Sequence, residues 1–132
     1  MNKCIISAVV MFVMAAALSY LVHGVLLFGD YAQLQGAMRP PAEADKLLPF
    51  MLAAHVIFAV SMSWIYFKGK EARPWLGQGV RYGIAVAMLT VIPTYLIYHV
   101  VTPVPLALAL KQIVFDSIRI VLMGIVLAWI NR

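Results

Sequence analysis

Four stretches of this chain are each about 20 apolar-dominated residues long, enough at 1.5 Å rise per residue to cross a hydrocarbon core of about 30 Å. They lie at about 4–28, 47–67, 82–101 and 106–130. Lipid supplies no partner for an unpaired backbone N–H or C=O, so such stretches form helices that bond within themselves, and an open sheet is excluded. The fold class that follows is all-α: a polytopic membrane protein, with four transmembrane helices in an up-down bundle and residues 1–132 in one domain. Composition agrees. Only 11% of the residues are charged and the mean hydropathy is +0.95, whereas a soluble domain carries about 25% charged residues. The opening "MNKCIISAVVMFVMAAALS" imitates a signal peptide, but its apolar run continues to Phe28. That length spans a bilayer, and the segment is read as an uncleaved helix.

Orientation follows from the loops. The 67–82 connection, "FKGKEARPWLGQGVRY", carries Lys68, Lys70, Arg73 and Arg81 against Glu71. The 29–46 connection holds Asp30, Glu43 and Asp45 against Arg39 and Lys46. By the positive-inside rule both termini and the 67–82 loop are cytoplasmic, in a bacterial-type inner membrane. Trp64, Trp75 and Trp129 all fall at that inner interface, where amphipathic rings are favoured. The net charge of +5 is thus topogenic, and no nucleic-acid module accompanies it. Pro40, Pro41 and Pro49 punctuate the outer loop, in which "YAQLQGAM" reads as a solvated connector or a short turn on the membrane surface. The lone Cys4 can form no internal disulfide and reads as a small apolar residue.

Helices associate in lipid where their backbones approach closely. Gly79, Gly83 and Ala87 recur every four residues, as do Gly124 and Ala128, so the third and fourth spans are expected to pack through them. Pro93 interrupts the third span's hydrogen bonding and is expected to kink it. A faint echo between "SYLVHGV" and "TYLIYHVV", and between "SWIYFKG" and "AWINR", is compatible with a repeated pair of hairpins.

The chemistry lies in polar residues at depth. Gln112, Asp116 and Arg119 share one face of the fourth span, while Lys111 is placed to snorkel to the outer interface. An isolated Asp or Arg at mid-membrane costs about 2.5–3.5 kcal/mol each. Pairing Asp116 with Arg119 removes most of the net charge but leaves a desolvation cost, so both must face protein or a wet cavity. The helical rise puts His23 and His55 roughly 8 and 12 Å below the outer interface. His99, Tyr20 and Tyr95 lie in the same outer half.

Three readings are open for this set. The leading one is a buried hydrogen-bond network that fixes helix register in a small accessory or structural subunit, one that self-associates or joins a larger membrane complex. The second is a homo-oligomeric proton- or ion-coupled transporter, since histidine titrates near neutral pH and intramembrane carboxylates relay protons. The third is a redox subunit in which His23 and His55 ligate a haem or a metal, although no local histidine spacing singles out a cofactor. No serine–histidine or HExxH signature is present, and a non-enzymatic role is expected.

The order "LVHGVLLFGDY", "MRPP", "WIYFKG" and "GVRYGIAVAML", with a glycine in the closing helix, resembles small four-helix bacterial inner-membrane proteins of unassigned function. The resemblance implies location and fold and brings no catalytic residue with it.

Overall fold

The computed structural model describes residues 2–34 and 36–132, which form helices and connections without strands. Helix α1 spans Lys3–Ser19 and continues as a π-helix over Tyr20–Leu26. Two short helices follow, α2 at Phe28–Ala32 and α3 at Pro41–Lys46. Then come α4 at Leu48–Gly69, α5 at Trp75–Val101 and α6 at Leu106–Ile130. Among the described residues, four helical segments are long and apolar enough to cross a membrane: Lys3–Leu26, α4, α5 and α6.

Local chemistry sets most of the boundaries. The Asn2 side chain accepts from the Cys4 amide at 3.2 Å and caps α1. Pro74 and Pro105 stand at the N-caps of α5 and α6, while Pro41 and Pro49 open α3 and α4, where a missing N–H costs nothing. Helix α5 begins at Trp75, well before the expected 82, and shortens the basic connection accordingly. Gly77 and Gly79 make this stretch look like loop, but contact of Gly79 with α6 overrides the weak helix propensity. Pro93 lies inside α5 without ending it. The first span also differs from a continuous α-helix to Phe28. It widens into the π-helix after Ser19 and stops at Leu27, whose amide donates to the Val22 carbonyl at 2.9 Å across five residues.

The α5–α6 contact is the tightest. A Cβ added at Gly83 would lie 2.6 Å from Val121 Cα, and one at Gly124 would lie 2.6 Å from the Gly79 carbonyl oxygen. The two helices therefore touch backbone to backbone, with Ala87 and Ala128 buried beside the glycines. Helix α1 packs against both α4 and α6, and the helices are ordered α4–α1–α6–α5 in space. Asn131 Nδ2 donates to Ser7 Oγ at 2.9 Å, and Lys70 Nζ donates to the Asn131 carbonyl. These bonds bring both termini and the α4–α5 loop to one end, called here the termini end.

Two apolar clusters result. The larger includes Met11, Ala15, Met62, Tyr66, Val91, Ile120, Met123 and Leu127. The smaller joins Val22, Leu27 and Leu108, with Tyr31 and Phe115 against them, toward the opposite end. The buried Gln112 and Asp116 lie between the two, whereas the buried Ser7 and Asn131 lie at the termini end.

Candidate functional site

Helix α6 places Gln112, Asp116 and Arg119 on its inward face, and Asp116 is only 1% exposed. Three other elements reach the same point. The π-helix carries His23, α2 carries Tyr31 and α5 carries Tyr95. The wide π turn matters here: Val22 and Leu27, five residues apart, are both buried, and they flank His23 and pin α2 beneath it.

The hydrogen bonds form a directed chain. Gln112 Nε2 donates to the Tyr31 hydroxyl oxygen at 2.9 Å, and that oxygen lies 2.6 Å from His23 Nδ1. His23 Nε2 lies 3.1 Å from Asp116 Oδ2, which also accepts from the Tyr95 hydroxyl. An ionised carboxylate is an acceptor only; with Asp116 ionised and the ring neutral, Nε2 carries the proton and Nδ1 accepts from Tyr31. The order is Gln112 to Tyr31 to His23 to Asp116, with Tyr95 closing the far side. Burial holds the Tyr31 phenol above its ordinary range and keeps it a donor; Gln112 opposes this shift, while Asp116 and Asp30 add to it.

Arg119 supplies the countercharge. Its Nε lies 3.1 Å from Asp116 Oδ1, but the N–H is misdirected and neither atom has a hydrogen bond. The attraction is coulombic, and two buried polar atoms remain unsatisfied. Toward solvent the chain is covered by an ion pair, Lys111 Nζ to Asp30 Oδ1 at 2.7 Å. Away from it, beyond Arg119, the buried side chains of α6 are the apolar Ile120, Met123 and Leu127.

Of the residues singled out in the sequence, Asp116, Arg119, Gln112, His23 and Tyr95 meet. Three others at similar depth do not. Tyr20 is 72% exposed and lays its ring over Gly24, where an added Cβ would sit 3.0 Å from the ring. His55 donates from Nδ1 to the Met51 carbonyl at 2.7 Å within its own helix, and shares with His23 only a cleft of about 310 Å³ between the π-helix and α4. His99 likewise staples its Nδ1 to the Val104 carbonyl at 2.7 Å, holding the α5–α6 link. These three share depth with the network but sit on other helix faces. Tyr31 is the member that sequence reasoning missed, because it lies in the segment read as a connector; Gln35 of that segment is outside the described residues.

The donor set does not fit a haem or metal held by His23 and His55. Both ring nitrogens of His23 are engaged by Tyr31 and Asp116, and ligation would require breaking one of those bonds. Among the described residues, no group of three or more His, Cys, Asp or Glu side chains is disposed to hold a metal ion. What the arrangement can do chemically is orient one buried carboxylate and one imidazole, and tie four segments of backbone to that point. Comparison with family models, curated proteins and solved structures finds no match to this chain.

Proposed function

We propose that this chain is an accessory or structural subunit of a bacterial-type cytoplasmic membrane, an up-down four-helix bundle with both termini inside, and that it acts by helix association. The network around Asp116 is its internal fastening. The observation that carries this reading is that side chains from the π-helix, α2 and α5 converge by hydrogen bonds on residues of α6 around the buried Asp116. A convergence of this kind suits register-fixing. The orientation is supported by the four cations at or beside the α4–α5 loop, Lys68, Lys70, Arg73 and Arg81, against one acid.

A gentle native purification, recording mass and absorption spectrum together, tests the role. The expected particle is heavier than one chain with its detergent, through self-association or a bound partner, and has no Soret band. A strictly monomeric particle would overturn the subunit role.

A second reading has one observation in its favour: the His23 imidazole stands in series between Tyr31 and Asp116. A homo-oligomeric proton-coupled transporter would use that series. Transport in proteoliposomes that stays flat across about pH 5.5–8, the window in which histidine changes charge, would remove it.

A further inference from the structure

At the termini end, the α4–α5 loop, the start of α5 and the end of α6 enclose a cleft of about 470 Å³ that has no part in the Asp116 network. Lys70, Arg73 and Arg132 line it against one acidic side chain, Glu71, whose Oε2 is already paired with Arg73 Nε at 2.5 Å. The cleft therefore has an excess of positive charge. The C-terminus of α6 accounts for part of it, since helix carbonyls attract cations and Lys70 Nζ donates to the Asn131 carbonyl. One carbonyl does not use an ammonium's three donors, however. Arg132 lies over the rings of Trp129 and Trp75, at 5.4 and 5.9 Å from their centroids. Stacking engages the face of a guanidinium and leaves its N–H fork to bond in plane.

The floor is formed by the buried Tyr66, Ala128 and Asn131. Asn131 Nδ2 is satisfied by Ser7 Oγ and the Leu127 carbonyl, but its buried Oδ1 has no donor. The cleft's requirement is thus an anion at its cationic rim. The tryptophans set the level. Trp75 and Trp129 border the cations at the ends of membrane-spanning helices, where lipid head groups lie.

We propose that this cleft binds the head group of an anionic phospholipid, of the phosphatidylglycerol type. The phosphate sits among Lys70, Arg73 and Arg132. The site requires only that this end of the helices lies at a membrane interface, and it is independent of the fastening role.

Native mass spectrometry in mild detergent, with phosphatidylglycerol or phosphatidylcholine added, tests the site. The wild type should retain phosphatidylglycerol about tenfold or more over phosphatidylcholine, as expected where each nearby Lys or Arg adds to the attraction for an anionic lipid. Lys70→Gln/Arg132→Gln should abolish that preference, and the charge-keeping Lys70→Arg/Arg132→Lys should restore most of it. Inorganic phosphate at millimolar concentration should not displace the lipid. Equal retention of the two lipids by the wild type overturns the proposal, and that comparison needs no variant to fold. A preference that survives the double glutamine change, or full displacement by inorganic phosphate, also overturns it.

Discussion

Tyr31 has one proton and two polar neighbours, and its position sets the direction of the whole chain. It accepts from Gln112 and donates to His23, so Tyr31→Phe strands a donor on one side and an acceptor on the other. Leaving buried polar groups unpaired costs about 1–3 kcal/mol, to be read as lost stability in detergent unfolding. The pH dependence has a definite sign. The folded-state pKa of Tyr31 is raised by burial, so its contribution is intact below the unfolded value of about 10 and declines as pH rises past it. Wild type should therefore lose stability above about pH 10 more steeply than Tyr31→Phe, and identical alkaline profiles would show that Tyr31 is not held protonated by the fold. Sequence reasoning reached most of this site because depth is legible: helical rise alone puts His23, Tyr95 and Asp116 at one level. Azimuth was not legible across helices, which is why Tyr20, His55 and His99, level with the others, lie on different faces. Tyr31 escaped because α2 is too short to announce itself by periodicity.

At the scale of elements, the glycine seam and the π-helix make opposite demands on sequence. Gly83 faces Val121 Cα at 2.6 Å from an added Cβ, and backbone cannot swing aside as a side chain can. Gly83→Val should cost about 1–3 kcal/mol or more in detergent unfolding, because the α5–α6 pair must separate. Gly77 offers the control in the same helix. A Cβ there meets nothing within 4 Å, and Gly77→Ala should gain up to about 1 kcal/mol through helix propensity. Equal effects at the two positions would dismiss the seam. The spacing of small residues exposed this contact in the sequence, since close backbone approach needs a regular row of them. Nothing comparable marks the π-helix. Tyr20–Leu26 reads as ordinary apolar helix apart from Gly24, and the pairing of His23 with Asp116 on a distant helix accompanies the wide turn. A contact of that range is invisible to local pattern. The start of α5 differs from expectation for a related reason: "WLGQG" has loop composition, but α6 gives Gly79 something to touch.

For the whole molecule, hydropathy left little freedom, because only helices satisfy their own backbones in lipid. Orientation can be measured directly. With Cys4 replaced, a cysteine at Ala72 in the α4–α5 loop should resist a membrane-impermeant thiol reagent added to intact cells, whereas one at Ala42 in the opposite connection should react. Reactivity at Ala72 and protection at Ala42 would invert the topology. The deeper question is whether the charged pair on α6 is a sheltered fastening or an incidental neighbour. Asp116 is almost wholly buried and Arg119 Nε stands beside it without a proper hydrogen bond, so each charge depends on the other. Removing one partner of a buried pair costs about 3–5 kcal/mol, while replacing both with apolar groups is often close to neutral. The decisive measurement is a double-mutant cycle on unfolding in detergent, with Asp116→Ala, Arg119→Leu and the two combined. A sheltered pair requires each single change to destabilise by about that amount and the double change to recover a large part of the loss. Single changes that leave stability untouched, or a double change whose cost equals the sum of the two, would contradict it.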